Sequence, residues 1–159
     1  MPFNDLREFI TFLESKGELL RTKKPVDVKF EISSYIRKTS DQRGPALLFE
    51  NVNNFAMPVL GGVFATRERA FLALETSNED YVHKFHNALD HLLAPKLVAN
   101  APCKEVVIKG KDVDLYKLPV PIFSERDPAP FITLGLCISR DPKTGGKNTS
   151  IYRLQLKGR

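Results

Sequence analysis

The sequence has no tryptophan, only two cysteines, and no run of eighteen apolar residues. Each shortage closes a class of protein. Without a long apolar run there is no candidate helix to span a bilayer. The opening residues MPFNDLREFI carry acids early instead of an apolar stretch leading to a small-residue cleavage site, so a cytoplasmic address is expected. Cys103 and Cys137 are too few for a disulfide-stapled secreted scaffold, and both are expected as free thiols. Glycine-rich phosphate loops are missing as well: Gly61-Gly62 sits in an apolar run without the Lys-Ser/Thr that gives such a loop its chemistry. No nucleophile elbow, HExxH helix, internal repeat or low-complexity segment occurs.

What is present is an ordinary globular composition: 159 residues, 42% hydrophobic, with a formal net charge of +5. The basic residues are spread along the chain among nineteen acids, and the densest groups, RTKK at 21–24 and KGKD at 109–112, are short and flank turns. A basic stripe interleaved with aromatics is absent, so no nucleic-acid partner is expected. The surplus charge still favours small anionic ligands such as carboxylates and phosphates.

Hydrophobic periodicity predicts a helix over FNDLREFITFLESKGELL, with Leu6, Phe9, Ile10 and Leu13 on one face, Asn4 as cap and Gly17 as stop. A short strand closed by Pro25 follows, then a second helix with Ile32, Tyr35 and Ile36 on one face. GPALLFEN and AMPVLGGVF read as buried strands, TRERAFLALE as a short helix. NEDYVHKFHNALDHLLAP reads as a longer helix capped by Asn78 and stopped before Pro95, with Tyr81, Val82, Phe85, Leu89, Leu92 and Leu93 in one stripe. This order predicts an α/β fold for residues 1–100. Beyond it EVVIKGKDVDLYKLPVPIF reads as β-rich, which places a domain boundary near residue 100 and a second unit over 101–159. In that unit Ile132, Leu134, Leu136 and Ile138 alternate with Phe131, Thr133, Gly135, Cys137 and Ser139. A turn of Asp141-Pro142 and Gly145-Gly146 leads into the next strand, making a long-looped hairpin.

Candidate chemistry is sparse. His83 and His86 stand at i, i+3 on the long helix and His91 two turns on, but no third metal ligand is in an obvious position, and a solvated or structural role is favoured. Arg153 lies between apolar neighbours in Ile151-Tyr152-Arg153-Leu154. A guanidinium so placed faces solvent, joins a structural ion pair, or awaits an anionic ligand. Asn148, Thr149 and Ser150 bring amide and hydroxyl oxygens to the start of that strand, adequate as hard ligands for a divalent cation.

The segments LREFITFLESKGELLR, GPALLFENV, MPVLGGVFATRERA, LPVPIFSERDPAPFITLGLCISRDP and NTSIYRLQLKG resemble, in order and spacing, the UbiD family of decarboxylases across essentially the whole chain. The resemblance implies a carboxy-lyase using prenylated FMN, a divalent metal, usually Mn2+, and K+, on an aromatic or α,β-unsaturated acid. It implies an α/β N-terminal domain followed by a flavin-reductase-like split β-barrel, of which 101–159 would be the first part. The family's N-x-x-I-Y-R segment falls on Asn148, Ile151, Tyr152 and Arg153. Asn148 would be a ligand of the metal bridging the cofactor phosphate, and Ile151, Tyr152 and Arg153 would line the flavin. Arg153 would also hold the substrate carboxylate and pair with a catalytic glutamate.

Asn148 and Arg153 are five apart and point to opposite faces of an unbroken strand, so Asn148 is expected in the entering loop. The family's chains are several times longer, and its remaining metal ligands and catalytic acids lie beyond residue 159. The expectation is therefore an N-terminal segment, inactive alone, with a homo-oligomer or a complementing chain and a flavin prenyltransferase as partners. The alternative is a non-catalytic module of a larger decarboxylase complex.

Overall fold

The structure, a computed structural model, describes residues 3–94 and 96–158. Its first helix, α1 (Leu6–Ser15), forms where the amphipathic stripe predicts, with Phe9 and Leu13 buried. The cap is Asp5 and not Asn4: the Asp5 carboxylate accepts from the Glu8 amide at 2.9 Å, while Asn4 donates its own backbone N–H to the Glu8 carboxylate at 2.7 Å. Asp5 has the extended backbone an N-cap needs, and its short side chain reaches the first free amides of the helix. The far end closes as a Schellman turn. Gly17 takes φ +71°, its N–H meets the Glu14 carbonyl, and the Glu18 N–H meets the Leu13 carbonyl at 2.8 Å.

Strand β1 (Leu19–Thr22) runs parallel to β2 (Ala46–Phe49) through the crossover helix α2 (Glu31–Asp41), and β3 (Val59–Gly61) pairs antiparallel on the other side of β2. All four residues of β2 are buried because it is central and covered on both faces. Alternation then sorts its side chains. Ala46 and Leu48 join Phe9, Leu13 and Leu19 under α1, while Leu47 and Phe49 join Val26, Ile32 and Val52 under α2. The result is a three-layer α/β unit, as the sequence pattern predicts. Within the α2 stripe Ile32 is fully buried, whereas Tyr35 is exposed and covers the Phe49 ring from outside at 6.1 Å.

Helix α3 (Arg67–Leu74) is capped by the Thr66 hydroxyl and carries the one buried charge among the described residues, Arg69, 1% exposed. Its guanidinium donates to the carbonyls of Val63 (3.0 Å) and Gly62 (3.1 Å) and to the Glu18 carboxylate (2.8 Å). Helix α4 (Tyr81–Asp90) is shorter than its periodicity suggests. Its N-cap is Asp80, not Asn78, and makes no side-chain cap bond; the Ser77 hydroxyl accepts from the Glu79 and Asp80 amides in the turn before it, and Leu92 and Leu93 lie beyond its end. No residue of α4 is buried; Tyr81 at its first turn stacks on Phe71 at 5.4 Å, while Leu89, Leu92 and Leu93 at the far end are exposed, and Pro95, the expected stop, lies outside the described residues.

The expectation of β-rich structure after residue 101 fails over 101–118. Three single 3-10 turns (Pro102–Lys104, Gly110–Asp112, Leu115–Lys117) replace it, and Val106, Val107 and Ile108 are exposed. β-branched residues favour a strand only when a neighbouring strand offers a pleated surface, and none lies beside them. The chain regains order at Pro119–Phe123, which clamps onto the α/β unit. Ile122 donates to the Val28 carbonyl and accepts from Phe30, and the buried Ser33 hydroxyl lies within 3.4 Å of the Phe123 carbonyl. Phe30 holds a left-handed backbone, φ +68°, that this pairing stabilises.

From the clamp the chain enters β4 (Phe131–Arg140), which pairs antiparallel with β5 (Lys147–Gln155) as the predicted hairpin. The Asp141 carboxylate accepts from the Lys143 (2.7 Å) and Thr144 (3.1 Å) amides, and these bonds hold its carboxyl below the usual aspartate range. A carboxyl depressed by folding contributes in full above its unfolded value and loses that contribution as pH falls through the lower folded one. The Thr144 amide is therefore expected to shift and exchange faster below about pH 4. NMR titration of the parent against Asp141→Asn checks this, and identical acid behaviour in both would refute it.

Candidate functional site

The site follows from the register of the hairpin. Counting out from the turn, Arg140 pairs with Lys147, Ser139 with Asn148, Cys137 with Ser150, Leu136 with Ile151 and Gly135 with Tyr152. The next aligned pair is Ile132 with Leu154, so Thr133 and Leu134 together oppose Arg153. That two-against-one count is a β-bulge in β4. It corrects the strict alternation expected for β4: beyond the bulge Phe131 moves opposite Gln155 and onto the face of Arg153, away from that of Gly135 and Cys137.

The four residues singled out in β5 therefore divide. Ile151 and Arg153 share one face, on which Leu136 and Ile138 are also exposed, and Asn148 and Tyr152 share the other. Asn148 lies inside β5, paired with Ser139, and not in the entering loop. A strand rise of ~3.3 Å per residue puts it roughly 16 Å from Arg153 along the chain. The side chains of Asn148 and Arg153 are thus not brought together on one face. The Asn148 amide nitrogen donates to the Ser150 hydroxyl at 2.7 Å, which fixes the amide and turns its carbonyl oxygen away from that contact. One route joins the two faces. The sheet contains only β4 and β5, so the outer edge of β5 is unpaired, and a ligand along that edge can touch side chains from both sides.

The Arg153 guanidinium carbon lies 5.0 Å from the centroid of the Phe131 ring. Six ion pairs occur among the described residues, and Arg153 belongs to none of them. Its forked donors thus remain available for a planar anion. Phe131 also lines a cleft of about 500 Å3 between the hairpin and the α/β unit. Its other walls include Ile36, Leu60, Phe64, Val120 and Phe123. Asn148, Ile151, Tyr152 and Arg153 are not among the residues that line the cleft; Phe131 is the link, lining the cleft and carrying the Arg153 guanidinium on its ring.

For a metal, Asn148 supplies one hard oxygen, and no group of three or more His, Cys, Asp or Glu among the described residues could hold an ion. His83 and His86 stand exposed on α4, and His91 bonds the Asn87 carbonyl through Nδ1 at 2.9 Å. Both cysteines are free. No helix among the described residues is long and apolar enough to cross a membrane. Neither Phe131 nor Arg69 stands out in the sequence. The signal for Phe131 would be a register counted back from the Asp141–Gly146 turn together with the position of the bulge, and no residue type announces that bulge.

Two family models match the chain. Residues 10–89 match the 3-octaprenyl-4-hydroxybenzoate carboxy-lyase N-terminal domain, and residues 96–159 match the 3-octaprenyl-4-hydroxybenzoate carboxy-lyase Rift-related domain. Among solved structures, the chain is 38% identical to an evolved dimeric form of the UbiD-class enzyme HmfF from Pelotomaculum thermopropionicum in complex with prFMN, with a TM-score of 0.92 over 98% of this chain and 36% of that one. A 3,4-dihydroxybenzoic acid decarboxylase from Enterobacter cloacae matches at 32% identity and TM-score 0.89, over 100% of this chain and 36% of that one. A vanillic acid decarboxylase from Sedimentibacter hydroxybenzoicus matches at 29% identity and TM-score 0.89, over 99% of this chain and 37% of that one. The chain spans just over a third of the length of these relatives.

Proposed function

Since the chain belongs to the UbiD family of carboxy-lyases, we propose that it supplies the N-terminal part of a decarboxylase that removes CO2 from an aromatic or α,β-unsaturated carboxylic acid with prenylated FMN. Residues 1–100 form the α/β domain in this reading and residues 101–159 begin the split β-barrel that carries the flavin. The succession of two family models, over 10–89 and 96–159, supports the division. The observation that carries the reading is Arg153, a guanidinium with no carboxylate partner among the described residues, held over the ring of Phe131, a residue that lines an apolar cleft, in the segment that matches the family's N-x-x-I-Y-R.

The division of labour follows from donor chemistry. Arg153 grips the substrate carboxylate through two parallel N–H bonds and fixes its plane. Ile151 and Tyr152 would help hold the cofactor, from opposite faces of β5. Asn148 would offer its amide oxygen to a divalent metal, Mn2+ in this reading, with K+ as the accompanying ion. The prenylated flavin, when bound, provides the electron sink that loss of CO2 requires. One metal ligand is not a metal site, so further polypeptide, in the same chain or a second one, completes the ligand set and brings the acid that protonates the product.

Co-production with a flavin prenyltransferase, followed by the flavin absorbance of the purified chain, tests the proposal. The parent is expected to retain cofactor, and Arg153→Ala and Asn148→Ala each to lower retention by about tenfold. Equal retention in parent and variants would remove both residues from the site. A parent with no flavin that instead captures a companion chain would favour the non-catalytic module.

A further inference from the structure

The contact between Arg153 and Phe131 exists only because the hairpin is irregular. Extended without a bulge, the pairing of Arg140 with Lys147 and Leu136 with Ile151 would set Phe131 opposite Leu156, on the face away from Arg153. The extra residue at Thr133–Leu134 turns the ring over, and it does so at the pair where Arg153 sits. The ring is itself anchored: the Phe131 amide donates to the Pro121 carbonyl at 3.3 Å, and Pro121 belongs to the clamp fixed on the α/β unit through Ile122. On the other strand, the Leu156 amide donates to the Pro130 carbonyl at 3.0 Å, and Leu156 is buried. The open end of the hairpin, where the platform under Arg153 lies, is thus tied to the clamp through Pro121 and closed on itself by the Leu156–Pro130 bond, while the arginine has no ion pair among the described residues to hold its side chain.

We propose that Phe131 is a positioning residue for Arg153: its ring, turned over by the bulge, holds the guanidinium in place by a cation–π contact and leaves the forked N–H edge open to a carboxylate. An aromatic face attracts the cation without consuming a single N–H. The inference deepens the proposed function and rests on the reading of Arg153 as the carboxylate grip.

The test follows the Arg153 Nε–Hε resonance by NMR in the 159-residue chain, assigned with Arg153→Ala, and titrates each chain with sodium benzoate. In the parent the resonance is expected upfield of a free arginine, ordered, and saturably shifted by benzoate. Phe131→Leu keeps an apolar side chain but no ring, so it should return the resonance to its free position and weaken benzoate two- to fivefold. Phe131→Tyr should restore both. If the leucine chain does not fold, Phe131→Met carries the same expectations. Benzoate binding equal to the parent in the ring-less variants, with Arg153→Ala still abolishing it, overturns the positioning role and leaves the grip intact. Backbone amide shifts showing benzoate binding unchanged in Arg153→Ala, or no benzoate response in the parent, overturn the grip and the inference with it.

Discussion

Arg69→Ala is expected to lower the free energy of unfolding by about 3 kcal/mol or more, a large fraction of the roughly 5–15 kcal/mol that holds a typical domain folded. The cause is what the substitution leaves behind. Three donors leave at once, and the Gly62 and Val63 carbonyls, which Arg69 satisfies at 3.1 and 3.0 Å, lose their partner where the guanidinium was only 1% exposed. Unsatisfied buried acceptors cost about 1–3 kcal/mol each. Glu18, 40% exposed, turns to water and adds little. Arg69→Met refills much of the volume without the bonds, so it should recover only the packing share of the loss. Urea denaturation of both variants measures this, and a loss under about 1 kcal/mol in the alanine chain would show that the network is decorative.

Phe49→Ala should cost about 3–5 kcal/mol, as the loss of a large buried ring generally does. Phe49 is 2% exposed at the end of the central strand and packs with Val26, Ile32, Leu47 and Val52, beneath the Tyr35 ring. Neighbours on three elements, β2, α2 and the chain before it, cannot all collapse into the space. Phe49→Leu, nearer in volume, should lose far less. The two clusters divide on either side of the sheet, which predicts a second readout. Phe49→Ala should speed hydrogen exchange at the Ile122 amide, because its acceptor Val28 packs against the Phe49 cluster, whereas Arg69→Ala should not. Equal protection of Ile122 in both variants would refute that coupling.

The α/β unit was legible because its elements are short-range patterns: a 3.6-residue stripe in α1 and α2, and apolar runs bounded by turns in β2 and β3. Errors arose where a pattern needs a partner that sequence does not display. Val106, Val107 and Ile108 have strand-forming side chains and no strand beside them among the described residues, and the α4 stripe ends at Leu89, with Leu92 and Leu93 exposed beyond the helix. The caps lie one or two residues from the expected ones, at Asp5 and not Asn4 and at Asp80 and not Asn78, among nearby polar side chains that all suit the role. At the candidate site, the hairpin and the position of Arg153 in it could be read, but the bulge could not, and with it went both Phe131 and the face on which its ring lies. Alternation along an unbroken strand puts Asn148 in a loop if it is to share a site with Arg153; the unpaired edge of β5 offers another solution. Nothing in the sequence marks Arg69, because an arginine in an amphipathic helix ordinarily faces water.

The clamp joins Ser33 to the carbonyl of Ile122 across 89 residues, whereas the sheet is complete by Gly61. On the ribosome these events are separated by the time needed to make about sixty residues, roughly 3–12 s at ordinary elongation rates. The nascent sheet would close first, and Phe30 would wait in an unfavourable backbone conformation, or relax from it, until its acceptor arrived. The platform beneath Arg153 is thus assembled last, and a pause in translation before residue 119 would yield a folded α/β unit with no ligand-facing hairpin attached.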